Sequence, residues 1–101
     1  MAHKVTMAAT ETLTGTRVIT TAEFQTNFLM SFDPGGAGRT VTLPAEADVS
    51  GEMMVIANAA DAAEILTIQS DGASTVATPT QNEVVMLFCD GTNWFTLETT
   101  V

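Results

Sequence analysis

The chain has 101 residues, enough for one domain with a single core, and its 46% hydrophobic content against 15% charged residues excludes a disordered chain. Twelve acidic residues oppose three Lys and Arg, a formal net charge of -9. Such a surface repels nucleic-acid backbones and anionic lipid, so neither nucleic acid nor membrane is expected as a partner.

Residues 1–15 are rich in Thr and Ala, without sustained periodicity. They are expected to form an extended N-terminal arm, separate from a domain over 16–101. The arm holds His3 and Lys4, and its Val5, Met7 and Leu13 are residues of a strand awaiting a partner. Arg17 to Thr21 is a short strand candidate, and Ala22 to Asn27 a turn or further strand. Phe28 to Phe32 alternates with Phe28, Met30 and Phe32 on one face. Asp33 to Gly38 is a loop by composition, read as a hairpin connection. Arg39 to Leu43 alternates again, with Val41 and Leu43 pointing one way, and Pro44 ends it. Ala45 to Gly51 is a turn or one loose helical turn. Glu52 to Asn58 is a strand with Met54 and Ile56 opposite Met53 and Val55.

Asn58 to Glu64 is the one stretch with good helix formers, and Asn58 is its candidate cap. Its length allows a turn or two at most. Ile65 to Gln69 and Ser74 to Thr78 are expected to form a hairpin around Ser70 to Ala73, with Leu66 and Ile68 inward. The last hairpin, Glu83 to Leu97, turns at Asp90-Gly91. A loop of even length puts Val84, Met86, Phe88, Phe95 and Leu97 on one face. Val85, Leu87, Cys89, Trp94 and Thr96 share the other. Both faces carry large apolar groups, so a chain this small is expected to self-associate. The face bearing Val85, Leu87 and Trp94 is assigned to the interface. Seven or eight short strands with regularly spaced turns predict an all-β fold, a single small antiparallel sandwich or barrel.

Catalytic chemistry finds little support. In the glycine-rich stretch, Asp33 stands where a phosphate-binding loop has its first Gly, Arg39 where it has Lys, and a strand follows instead of a helix. Cys89 needs a base to act as a nucleophile, and the sole His is His3 in the arm. As the only cysteine it also excludes an internal disulfide, and it reads as a small buried hydrophobe. There is no Gly-x-Ser-x-Gly elbow and no Tyr. Glu83 and Glu98 are strand-end residues read as exposed charges. A lone Trp94 reads as core or interface before it reads as a sugar platform. Asp33, Asp61, Glu64, Asp71 and Asp90 are candidate calcium ligands, but no segment has the spaced ligands of an EF-hand loop. No catalytic residue, cofactor or metal site is therefore assigned, and the protein is expected not to be an enzyme. No apolar leader opens the chain, so synthesis in a cytoplasm is expected.

Three segments occur in an order that carries a family resemblance: GRTVTLPAEADVSG (Gly38 to Gly51), MMVIANAADAAEILTIQSDG (Met53 to Gly72) and VVMLFCDGTNWFTL (Val84 to Leu97). In this order they resemble a small β-domain of tailed-phage virion proteins, above all capsid decoration (cement) proteins. The resemblance implies a non-enzymatic homotrimer on the outer surface of the phage head, bridging subunits of the major capsid protein. Its alternative is a tail fibre, spike or knob protein that binds a host receptor. On the first reading the arm, through His3, Lys4, Val5, Met7 and Leu13, is the capsid contact. It would add as a strand to a capsid sheet edge, and its removal should leave the domain folded.

Overall fold

The computed structural model describes residues 6–98. Ten strands and one short helix follow one another: β1 (Thr6–Met7), β2 (Glu11–Thr12), β3 (Arg17–Val18), α1 (Thr21–Thr26), β4 (Asn27–Asp33), β5 (Arg39–Thr42), a 3-10 turn (Glu46–Asp48), β6 (Met53–Asn58), β7 (Leu66–Gln69), β8 (Thr75–Ala77), β9 (Val84–Cys89) and β10 (Trp94–Glu98). The fold is mostly β, as expected. Two sheets face each other across one core. The first runs β1-β4-β6-β9-β10, with β2 also paired to β4, and the second runs β3-β5-β7-β8.

The sheets are mixed, which corrects the antiparallel expectation. From β2 to β7 the chain alternates between the sheets, and each strand pairs in parallel with the one two places on. The pairs are β2 with β4, β3 with β5, β4 with β6, and β5 with β7. A parallel pair needs a crossover, and here the crossover is the intervening strand of the opposite sheet. The chain thus winds as a flattened coil. Two antiparallel hairpins then finish the sheets, β7-β8 and β9-β10, with β9 antiparallel to β6. Both hairpins match the sequence expectation.

Inward positions supply the core: Met30, Phe32, Met54, Ile56, Val85 and Leu87 from the first sheet, and Val41, Leu66, Ile68 and Ala77 from the second. Leu13, Ile19, Phe24, Leu43 and Val49 fill the rims from connecting segments. Phe28, expected on one face with Met30 and Phe32, is 40% exposed while those two are buried, and it lies outside the stretch of β4 paired to β6.

Three further expectations are corrected. Residues 6–14 are not a separate arm. Met7 and Glu11 pair with β4, and the Leu13 N–H donates to the Asp33 carbonyl at 2.7 Å with its side chain buried. His3, Lys4 and Val5 lie outside the described residues. The Asp33–Gly38 loop is not a hairpin but a crossover from the first sheet to the second. In it Gly35 has φ +78°, and a Cβ there would stand 2.5 Å from the Leu13 carbonyl oxygen.

The helix falls at Thr21–Thr26 and not after Asn58. Thr20 Oγ1 accepts from the Glu23 N–H at 3.1 Å, and a Glu23 carboxylate oxygen accepts from the Thr20 N–H at 2.9 Å, a reciprocal cap that starts the helix. Asn58 instead spends its buried side chain bracing the loop that follows. Its Nδ2 donates to the Glu64 and Pro79 carbonyls, and its Oδ1 accepts from the Ala60 N–H.

Candidate functional site: an apolar sheet face

The outward face of the first sheet is the feature that ordinary solvation does not explain. Strand registers place its side chains in rows. The middle row crosses the whole sheet: Met7, Leu29, Val55, Met86 and Leu97. On one side of it lie Met53, Phe88 and Phe95, and on the other Ser31, Ala57 and Val84. None of these residues carries a charge. Ser31 accepts a hydrogen bond from the Thr10 hydroxyl at 3.0 Å. Seven large apolar residues are exposed among the described residues, and four of them, Met7 (63%), Phe88 (39%), Phe95 (55%) and Leu97 (63%), stand on this face.

The second sheet turns a different surface outward. Thr40 and Thr42 of β5, Thr67 and Gln69 of β7, and Thr75 of β8 occupy its outer positions, with Val18 at the β3 edge. That is the surface of a sheet that meets water. The first sheet reads as one covered on both sides.

The hairpin faces therefore fall as the sequence placed them, but their roles are exchanged. Val85 and Leu87 are 0% exposed, packed inside this chain's own core, so they cannot be the interface with a neighbour. Trp94 also packs against the core, with its ring edge-on to Phe24 at 5.4 Å. Period-two alternation separates the two faces of a hairpin. It does not say which face the opposite sheet will cover.

A polar groove of about 310 Å³ lies where β8 and β10 approach each other. It is lined by Glu46, Ser70, Ser74, Thr75, Trp94 and Thr96, among others. Cys89 is buried. Its thiol donates weakly to the Glu46 carbonyl at 3.3 Å, and burial pushes its pKa up, so the protonated thiol is its stable form. Glu98 lies opposite Val85 and accepts from the Thr78 N–H, while Glu83 accepts from the Thr80 N–H.

Asp33, Asp61 and Glu64 bring carboxylate oxygens within 4.8 Å of one another, the one group of three or more metal-ligating residues among the described residues. They supply three oxygens of the kind a hard cation takes, against roughly six to eight in a full Ca²⁺ shell. Asp33 already accepts from the Gly35 N–H.

Arg17 closes one end of the coil. Its guanidinium donates to Glu23 at 2.7 and 2.9 Å and to Glu11 at 2.9 and 3.2 Å, and it stands 5.8 Å from the centre of the Phe32 ring. These bonds raise the Arg17 pKa and hold the Glu23 carboxyl at about 2. The charge of Arg17 is thus satisfied within the chain and is not offered to a partner.

No helix among the described residues is long and apolar enough to cross a membrane. No protein family, curated protein or solved structure was found to match the chain.

Proposed function

We propose that this protein is a non-enzymatic structural component of a phage virion. It acts as a homotrimeric decoration protein on the outer capsid surface and bridges neighbouring subunits of the major capsid protein. The observation that carries the structural half of this reading is the uncharged apolar face of the first sheet, in a chain of net charge -9. A surface of that kind marks a protein made to be held in an assembly. The virion half rests on the ordered resemblance of residues 38–97 to phage decoration proteins.

The mechanism is linkage. A protein that binds only the assembled, expanded shell stabilises that shell, and many weak contacts acting together give a large total. His3, Lys4 and Val5 remain the proposed capsid contact, while Leu13 serves the core.

The test is binding of the purified protein to capsids that lack decoration. Saturation at a fixed ratio of copies to capsid subunits, with raised resistance of the shell to heat, is the expected result. Absence of binding rejects the reading. The second reading, a fibre tip or knob that binds a host receptor, has the polar groove beside Trp94 in its favour. Copy number separates the two: hundreds per particle for decoration, a handful for a tail appendage.

A further inference from the structure

We propose that the outer face of the first sheet is the surface on which copies of this chain pack against one another. The inference rests on the self-association half of the reading above and is independent of its virion half.

Charge selects the occupant. Twelve acidic residues give each copy a strong negative field, and two copies repel unless their contact keeps carboxylates apart. The three rows from Met53–Phe88–Phe95 to Ser31–Ala57–Val84 contain no ionisable side chain. This is therefore a surface through which such a chain can meet itself. A partner of a different kind would be drawn and oriented by complementary charge, and these three rows have none to offer; Asp33, at the end of β4, lies beyond them. Depletion of charge together with apolar content is the composition of permanent interfaces between like subunits.

Shape points the same way. The middle row runs unbroken from Met7 to Leu97 across five strands, roughly 19 Å at the usual strand spacing. It is a broad sheet surface, not a slot for a peptide. Sheets pack face to face at about 10 Å by interdigitating side chains, and Leu29, Val55 and Met86 at the centre of the face are of the kind that do so. The second sheet has no equivalent, because its outer positions are largely Thr and Gln.

The test is sedimentation of the whole protein at micromolar concentration, beside Leu97→Asp and Val18→Asp. Leu97 is 63% exposed on the proposed face, and Val18 is 59% exposed on the outer side of the second sheet. Both variants place a carboxylate on an exposed apolar position, so each tests one face. The unmodified protein and Val18→Asp should sediment as the same oligomer, a trimer on the reading above. Leu97→Asp should weaken association by roughly 10- to 100-fold.

Peroxide oxidation of the unmodified protein gives a second measurement that does not depend on a variant folding. Met7 should oxidise several-fold more slowly than free methionine, although it is exposed in a single copy. A monomeric unmodified protein, an oligomer indifferent to Leu97→Asp, or Met7 oxidising as fast as free methionine would each overturn the proposal. A monomer that still binds capsids, and loses that binding in Leu97→Asp, would assign the face to the capsid protein. That result overturns this inference and the homotrimer with it, and leaves standing only the capsid-binding part of the decoration reading. An oligomer disrupted by Leu97→Asp that binds no capsid does the reverse.

Discussion

Gly35 and Arg17 each set a limit on how the first rung of the coil can pack. Gly35 combines a left-handed backbone with a close approach: φ is +78°, and a Cβ would stand 2.5 Å from a backbone oxygen of Leu13. Because the obstacle is backbone, it cannot swing aside. Gly35→Ala should cost about 2–4 kcal/mol, read as a lower urea midpoint. At Gly36 φ is +104° but a Cβ meets only open space, so Gly36→Ala should cost about 1 kcal/mol.

Arg17 acts through charge. The guanidinium, by its hydrogen bonds first, holds the folded-state pKa of Glu23 at about 2, below the usual 4.5. A depressed carboxyl contributes stability that is full above the unfolded-state pKa and is lost as pH falls through the folded one. The loss should therefore develop from about pH 4.5 down to about pH 2. With a third of the Glu23 side chain exposed, solvent screening reduces the contribution to about 1 kcal/mol. Glu23→Gln should flatten that part of the stability–pH curve, measured by denaturant titration at each pH.

Alternation is a local property, and the elements show how far it reaches. It located β4, β5, β6, β7 and both hairpins. It also separated Met54 and Ile56 from Met53 and Val55, because a strand has period two wherever its neighbours lie, and the fold buries the first pair. It is silent on neighbours. Nothing in Arg39–Thr42 says that it pairs with Leu66–Gln69, and Asp33–Gly38 reads equally well as a hairpin loop or as a crossover. The parallel pairings, and with them the coil, were hidden for that reason. So was the identity of the exposed hairpin face, which depends on the second sheet covering Val85 and Leu87.

The helix was missed for a different reason. Composition favoured Asn58–Glu64, but the reciprocal cap Thr20-x-x-Glu23 stands in the sequence and was the better signal. It outweighed composition because a six-residue helix depends on its ends. Thr20→Ala should cost about 1 kcal/mol and lower the thermal midpoint by several degrees. Thr14→Ala, at an exposed site in no strand or helix, should leave that midpoint in place.

For the molecule as a whole, the first fourteen residues decide between a clamp with a loose arm and a coil that begins at its first strand. The sequence read them as an arm because so short a stretch shows no periodicity. β1 and β2 have two residues each, too few to repeat a pattern. Their contacts are nevertheless those of a structural rung. Thr6, Met7, Glu11 and Thr12 are in register with β4, Leu13 is buried, and Glu11 is one of the two carboxylates that neutralise Arg17. Removing a buried Leu alone costs about 2–5 kcal/mol, and a chain this size has about 5–15 kcal/mol in all. Deleting residues 1–14 takes away that side chain, the edge of the first sheet and half of the Arg17 ion pairing together. It also exposes the Phe32 side of the core. The truncated protein should be unfolded, or so marginal that its β-rich far-ultraviolet circular dichroism collapses well below the melting point of the full chain. Deleting residues 1–5 spares every one of these contacts and should leave the spectrum and melting point in place. A truncation at 14 that melts cooperatively near the full-length temperature would show that the coil starts at β3 and that the segment before it is free to bind elsewhere.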